Sequence, residues 1–126
     1  MTHQKRLGEW GENQARCHLE TRGYVFIERN FRVSEGEIDL VMQDGDIVVF
    51  VEVKTRTSDN FGAPEESVSK AKRQRLQRAA WIYLQEQEML DALWRIDVVA
   101  IEATPNWTIQ RIDHYPGAFD IDLKRL

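Results

Sequence analysis

Four charged side chains interrupt the apolar stretch from Gly36 to Arg56, which otherwise has the composition of two β-strands. These side chains are Glu37, Asp39, Glu52 and Lys54. Neighbouring carboxylates on a partly buried face raise one another's pKa unless a cation compensates their charge. Three acids beside one lysine therefore predict a bound divalent cation. Mg²⁺ or Mn²⁺ suits such a site, because each takes a few carboxylates and water, with a substrate phosphate completing the shell.

The chemistry expected of such a site is hydrolysis of a phosphodiester. A metal held by Asp39 and Glu52 would polarise the phosphodiester and activate a water molecule. Lys54 would orient that water or stabilise charge on the phosphate. The alternative is a cross-strand salt bridge of Lys54 with Glu37 or Glu52 on a solvated face, because opposite charges often pair across strands. The strongly apolar second strand, IVVFVEV, favours the functional interpretation.

Strand geometry predicts that the four groups share one face. Side chains two residues apart project from the same face, about 7 Å from each other. With Asp44-Gly45 as a two-residue type I′ turn, Asp39 lies opposite Phe50 and Glu37 lies opposite Glu52. Asp39 is then the diagonal neighbour of Glu52, within reach of a shared ion. A longer loop with a bulge would bring Asp39 nearer still.

Two predicted helices each add a charged residue to this face. On the helix over residues 4–21, Glu12 lies at the edge of the apolar side. It either reaches over the sheet or is an ordinary boundary glutamate. The second helix is predicted from Glu65 to Gln87, with Ser67 as a candidate N-cap. Lys72 lies in the apolar stripe of this helix, so it either extends to water or meets an acid or a phosphate.

The remaining pattern completes an α/β domain. The five predicted strands are Tyr24–Phe31, Glu37–Gln43, Asp46–Thr55, Arg95–Ile101 and Trp107–His114. Residues 57–66 are predicted to form a polar loop. The order α-β-β-β-α-β-β predicts a central mixed five-stranded sheet flanked by helices. A length of 126 residues predicts a single domain over residues 1–126.

The charge distribution limits how the protein would bind nucleic acid. A net charge of −4 argues against an affinity spread over the whole surface. A local basic run nevertheless exists within residues 70–78. Its members are Lys70, Lys72, Arg73, Arg75 and Arg78. The alternative is that this run forms only the solvated face of a helix.

Cysteine usage and the N-terminus predict a cytoplasmic protein without membrane partners. Cys17 is the only cysteine, so no internal disulfide forms. The beginning MTHQKRLGEW lacks the apolar core of a signal peptide. The longest run of aliphatic and aromatic residues, 47–51, is far shorter than the roughly 20 residues that span a bilayer.

The spacing of Asp39 and the later Glu52-Val53-Lys54 resembles the Asp…(Asp/Glu)-x-Lys signature of the restriction-endonuclease-like nuclease superfamily. More closely, the chain resembles an uncharacterised bacterial family of predicted endonucleases that is distantly similar to archaeal Holliday junction resolvases. The resemblance covers residues 8 to about 101 and no part of the tail from Trp107 onward. The matching stretches are Gly8-Glu9, Gly11-Glu12, Arg29-Asn30, residues 36–40, 50–56, 72–80, 83–84 and 95–99. The proline that precedes the aspartate in the superfamily motif is replaced by Ile38.

This resemblance implies a magnesium-dependent endodeoxyribonuclease built on a mixed sheet flanked by helices. Asp39, Glu52 and Lys54 would be catalytic, with Glu12 as an acid contributed by the first helix. Asp39 and Glu52 would hold Mg²⁺ (or Mn²⁺), helped by the backbone carbonyl of Val53 and by Glu12. Lys54 would position the attacking water.

The expected partner is DNA, in particular branched DNA formed in recombination or repair. The residues expected to contact it are Arg56, Lys70, Lys72, Arg73 and Arg75. By analogy, a homodimer would suit the cutting of two strands. Two alternatives remain open: a non-catalytic nucleic-acid-binding module that kept the fold, and a scaffold whose acids and lysine merely pair.

Overall fold

A computed structural model describes residues 2–57 and 68–118. The elements are α1 (His3–Thr21), β1 (Val25–Val33), β2 (Gly36–Asp44), β3 (Ile47–Arg56), α2 (Lys70–Glu86), β4 (Leu93–Ala103) and β5 (Ile109–Tyr115). The strands form one sheet in the order β1-β2-β3-β4-β5, in which only β3 and β4 run parallel. The predicted element order and mixed five-stranded sheet are confirmed. Within the described ranges, no helix is long and apolar enough to cross a membrane.

The two helices cover opposite faces of the sheet. Helix α1 buries residues at four-residue spacing, Leu7, Gly11, Ala15 and Leu19, which form one stripe along the helix. This stripe packs over Val49 and Val51 of β3 and their neighbours. Helix α2 packs over the other face, where Val48 and Phe50 of the same strand lie. Strand β3 is therefore covered on both sides, as its continuous apolar sequence predicts.

The hairpin between β2 and β3 has a different register from the predicted one. Asp44 pairs with Ile47 and Leu40 pairs with Val51, so the turn is Gly45-Asp46 and not Asp44-Gly45. Gly45, at φ 60°, takes the first central position, where type II′ turns place glycine. Asp44 remains in the strand, 3.3 Å from Arg95. A shift of two residues keeps the paired residues 40–44 and 47–51 on their predicted faces and moves Asp39 from opposite Phe50 to the level of Glu52.

Every strand boundary differs from its prediction by one or two residues, and the start of α2 differs by five. Helix α2 begins at Lys70 and not at Glu65, because the Ser69 side chain accepts a hydrogen bond from the Lys72 amide and caps the helix. The candidate cap Ser67, most of the predicted loop and the tail from residue 119 lie outside the described residues. Strand β5 begins at Ile109, since Trp107 adopts a left-handed conformation (φ 63°) in the preceding turn.

A buried ionic network lies on the α1 side of the sheet, near the end where β3 begins. Asp97 is fully buried and accepts hydrogen bonds from Arg95 Nε and the Gly117 amide, each at 2.9 Å. His114 Nε2 lies 2.7 Å from the other carboxylate oxygen of Asp97. Arg95 also contacts the Tyr24 hydroxyl. The network ties β4 and β5 to the segment that enters β1.

Candidate active site

An open cavity of about 270 Å³ lies near the carboxyl end of β3. Helix α1, strands β2 and β3 and the first turn of α2 each contribute to its lining. The structure brings together here all the residues predicted to be catalytic or to bind metal, together with one predicted DNA contact. They are Glu12, Asp39, Glu52, Val53, Lys54 and Lys72.

Asp39 lies where both β1 and β2 depart from regular alternation. Ile38 packs on the α2 side, whereas Leu40, two residues later, packs on the α1 side. On β1, Asn30 has a φ of 54°, and it lies between the residues that pair with Ile38 and Leu40. Asp39 Oδ2 accepts a hydrogen bond of 2.8 Å from the Val53 amide of β3. This local break in the pleat directs the Asp39 carboxyl toward β3.

Glu52 is buried and is neutralised by two lysines. Lys72 Nζ lies 2.7 Å from Glu52 Oε1, and Lys54 Nζ lies 3.6 Å from the same oxygen. Burial lowers the pKa of Lys72, but the adjacent Glu52 outweighs that effect and leaves the pKa raised. Burial also lowers the pKa of Lys54, and the nearby Lys72 lowers it further. Lys72 thus meets an acid, one of the two outcomes predicted for a lysine in the apolar stripe.

Asp39 has no comparable cation. Among residues 2–57 and 68–118 it makes no ion pair, and its carboxyl is partly buried beside Glu52. Burial, and then the charge of Glu52, raise the pKa of Asp39 to about 8. The carboxyl therefore holds a proton at neutral pH. A divalent cation in this position would replace that proton.

Glu12 reaches the cavity from α1, as its position at the edge of the apolar side predicts. Its side chain is 14% exposed and lies 3.4 Å from Arg29 of β1. Burial raises the pKa of Glu12, and Arg29 offsets only part of this effect. Arg29 also donates a hydrogen bond of 3.0 Å to Asn13, which fixes the guanidinium against α1.

The contact of α1 with β3 depends on a glycine. A Cβ atom on Gly11 would come within 1.9 Å of Thr55 Oγ1 and 2.9 Å of Thr55 Cβ. Contacts this short do not occur, so any larger residue would push the helix away from the strand. Glu12 follows Gly11 directly, and the close approach therefore sets the distance between Glu12 and the residues on β3.

Glu37 occupies the edge of the cavity and is 60% exposed, with its carboxylate 3.2 Å from Arg32. Two of the three acids weighed against Lys54 are thus compensated separately, Glu37 by Arg32 and Glu52 by two lysines, and Glu12 on α1 is compensated by Arg29. The excess of negative charge is concentrated on Asp39.

The residues predicted to contact DNA are placed less uniformly. Lys70 and Arg75 are exposed on α2. Arg73 is partly buried, and its Nε donates to the carbonyl of Val68, 3.2 Å away. Arg56, at the end of β3, is partly buried and has an interaction partner. Of this group only Lys72 lines the cavity.

The sequence interpretation assigned no role to Arg29 or Arg32, the partners of Glu12 and Glu37. The sequence gives little indication of these roles, because Arg29 and Arg32 lie in the outer strand β1, where charged residues are common. It also assigned no role to Asp97. Asp97 interrupts the apolar strand RIDVVAI in the same way that Glu52 interrupts IVVFVEV, so this signal was available.

The donor set fits a hard divalent cation held mainly by two carboxylates. Among the described residues, no group of three or more His, Cys, Asp or Glu side chains is placed to hold a metal ion. Mg²⁺ commonly retains several waters and uses only one or two carboxylates. Asp39 and Glu52 supply these, and the raised pKa of Asp39 reflects negative charge that a cation would relieve.

Comparisons with known proteins identify the family. The sequence profile of the uncharacterised protein family UPF0102 matches residues 11–101. A UPF0102 protein of Geobacter metallireducens is 44% identical over 119 residues, covering 94% of this chain and 96% of the relative. One from Herminiimonas arsenicoxydans is 49% identical over 108 residues, 85% of this chain and 86% of that protein.

A solved structure, titled "Crystal structure of SSO0001", aligns with a TM-score of 0.48 and 22% identity. The alignment covers 96% of this chain and 55% of the other. The family assignment rests on the profile match and on the bacterial relatives. The chain belongs to the uncharacterised protein family UPF0102.

Proposed function

We propose that the protein is a metal-dependent DNA endonuclease that hydrolyses phosphodiester bonds. The observation that carries this proposal is the meeting of Asp39, Glu52 and Lys54 in one open cavity, with Asp39 lacking a cation among the described residues. A buried carboxyl with a raised pKa in a cleft is a mark of functional sites. The spacing of these residues also resembles the nuclease signature.

In this proposal Asp39 and Glu52 hold Mg²⁺ or Mn²⁺ together with the Val53 carbonyl, and Glu12 lines the same cavity without completing a three-carboxylate site among the described residues. The metal supplies polarisation of the phosphodiester and activation of water. Lys54 orients the attacking water and stabilises negative charge on the phosphate. Lys72 holds Glu52 in place through its 2.7 Å contact and adds positive charge where the phosphate enters.

The proposed substrate is structured DNA, as in recombination or repair, in the cytoplasm. The exposed Lys70 and Arg75 are on α2, the helix that brings Lys72 to the cavity. Cationic side chains there would contact phosphates, which position the DNA without reading its sequence. A homodimer would present two such sites to two strands, and sedimentation with and without junction DNA tests this assembly.

Cleavage assays test the proposal directly. Purified protein is incubated with Mg²⁺ or Mn²⁺ and with linear, nicked and four-way-junction DNA. We expect cleavage that is lost in Glu52→Gln and retained in Glu86→Gln, which removes an exposed carboxylate that does not line the cavity. No cleavage of any substrate, with wild type indistinguishable from Glu52→Gln, would overturn the proposal.

A second candidate is a non-catalytic nucleic-acid-binding module. It is favoured by the ion pairs that already neutralise Glu52 and Glu12. This candidate predicts DNA binding that weakens steeply with salt and is unchanged in Asp39→Asn. Metal-dependent cleavage that disappears in Asp39→Asn excludes it.

A further inference from the structure

A second cavity, of about 400 Å³, adjoins the candidate active site. We call it the side cavity. It lies between α2 and the turn that joins β1 to β2, and it shares Glu37 and Lys72 with the active-site cavity. The two cavities are therefore neighbours, with Glu37 and Lys72 at their common border.

The walls of the side cavity are formed by backbone packing and not by mobile side chains alone. A Cβ atom on Gly36 would lie 2.5 Å from the carbonyl oxygen of Arg75, so the β1–β2 turn rests directly on the helix backbone. Val33 and the buried Leu76 contribute apolar surface. The volume falls within the range of small-molecule sites, roughly 300–1,000 Å³.

The charged lining combines donors with acceptors. The cationic side chains are those of Arg32, Lys72 and Arg75, and the anionic ones are those of Glu35 and Glu37. Arg32 and Lys72 are already engaged with carboxylates, and the Ser34 hydroxyl donates to Glu35. The exposed Arg75 guanidinium makes no hydrogen bond or ion pair with another described residue, which leaves its donors available.

This lining suits a nucleobase better than a phosphate. A phosphate in the side cavity would face the carboxylates of Glu35 and Glu37. A nucleobase is neutral and carries both hydrogen-bond acceptors and amino groups. Arg75 can donate hydrogen bonds to the acceptors, and the glutamate carboxylates can accept hydrogen bonds from the amino groups. The guanidinium plane can also stack on the face of a base, and the apolar surface of Val33 covers what remains.

We infer that the side cavity receives an unpaired nucleobase of the DNA strand whose backbone crosses the active site. This inference rests on the proposed function and specifies its substrate class. Bases of an intact duplex are stacked and cannot enter a protein cavity unless they leave the helix. The substrate is therefore DNA with an unpaired nucleotide beside the cleaved phosphate, as at a gap, a flap or a branch point.

Fluorescence of 2-aminopurine tests the inference without cleavage. A duplex carrying one unpaired 2-aminopurine is titrated with protein in the absence of divalent metal. We expect the fluorescence to rise at saturation in wild type, because the base leaves its stack. Arg75→Ala should lose most of this rise. Arg78→Ala is the matched control, since it removes the same charge from the same helix outside the side cavity, and it should reach the wild-type plateau.

In the fluorescence titration, two results would overturn the inference: no rise with wild type, or the same plateau in Arg75→Ala. Cleavage with Mg²⁺ separates this failure from that of the proposed function. We expect DNA with the unpaired nucleotide to be cut about tenfold faster than paired DNA of the same sequence. Equal cleavage of both substrates overturns the inference but still supports the proposed nuclease activity. Absence of any cleavage rejects the nuclease, and the fluorescence titration still decides whether the cavity takes a base.

Discussion

At the residue scale, Asp39 affects both the stability of the fold and the proposed activity. Replacing it with Asn keeps a side-chain oxygen that can accept the hydrogen bond from the Val53 amide. It also removes the carboxyl whose pKa burial and Glu52 raise to about 8. We expect Asp39→Asn to abolish metal-dependent cleavage and to increase the free energy of unfolding at pH 8, without metal, by about 1–3 kcal/mol.

Urea denaturation measures this change. Asp46→Asn is the control, because it removes an acid from the exposed β2–β3 turn. A less stable Asp39→Asn variant would contradict the assignment of Asp39 as a strained acid.

The same carboxyl sets a pH dependence for metal binding. Its pKa is about 8 in the folded chain, against 3.8 ordinarily, so between these values folding takes up a proton and the metal-free protein loses stability as pH rises. A metal ion must displace that proton. We expect the affinity for Mn²⁺ to rise up to about tenfold per pH unit from pH 6 to pH 8 and to level off above, as measured by calorimetry. A flat profile would show that Asp39 is not a ligand.

At the element scale, the approach of α1 to β3 positions Glu12. A methyl group on Gly11 would collide with Thr55, whereas one on Gly8 meets nothing within 4 Å. We expect Gly11→Ala to lower the free energy of unfolding by about 1–3 kcal/mol. Gly8→Ala should raise it by about 0.5–1 kcal/mol, through helix propensity alone. Thermal unfolding of the two variants measures the difference.

Thr55→Gly provides a rescue test for this contact. Combined with Gly11→Ala, it removes the Cβ atom with which the new methyl group collides, so part of the lost stability should return. No recovery would mean that the helix position is set elsewhere.

The hairpin shows how far local pattern determines an element. Alternation correctly predicts that Glu52 and Lys54 share a face, because the period of two belongs to the strand itself. The predicted register of β2 against β3 was wrong by two residues. Asp44-Gly45 and Gly45-Asp46 both have a composition typical of two-residue turns, so the local sequence does not distinguish them. The choice is associated with the contact of Asp44 with Arg95, a residue far away in sequence.

Two contacts in the site were even less accessible to sequence reasoning. The break of alternation at Asp39 coincides with the left-handed Asn30 on the neighbouring strand. The pairing of Glu12 with Arg29 joins α1 to β1. By contrast, Glu12 and Lys72 were found because each departs from the apolar periodicity of its own helix, which is visible locally.

At the scale of the whole molecule, the Asp97 network connects β4 and β5 to Tyr24, the residue before β1. Truncating Asp97 would leave Arg95 without its buried partner and remove the 2.9 Å hydrogen bond from Gly117. We expect Asp97→Ala to lower the free energy of unfolding by about 3–5 kcal/mol. Asp91→Ala, at an exposed position, should change it by less than about 0.5 kcal/mol. Chemical denaturation at pH 7 measures both.

Asp97 also gives the fold a sensitivity to acid. Burial alone would raise its pKa, but hydrogen bonds from His114, Gly117 and Arg95 outweigh burial and hold the pKa below 3.8. A lowered pKa contributes stability that is complete above the ordinary value and is lost as pH falls through the lowered one. We expect wild type to lose stability below about pH 4, and a pH series of melting temperatures should show a smaller loss in Asp97→Asn.

The left-handed backbone conformation at Asn30 also affects how these molecules associate at high protein concentration. Among the strands of residues 2–57 and 68–118, β1 is an outer one, so one row of its amides and carbonyls faces no other strand there, and Val25 in β1 is 62% exposed. Such an edge invites a strand from another molecule to add on and begin an aggregate. The left-handed conformation of Asn30 interrupts the regular row of amides and carbonyls along β1. A strand from another molecule could therefore not form continuous hydrogen bonds along this edge. The irregular backbone at Asn30, which accompanies the placement of Asp39 in the cavity, thus also disfavours strand pairing between molecules at this edge of the sheet.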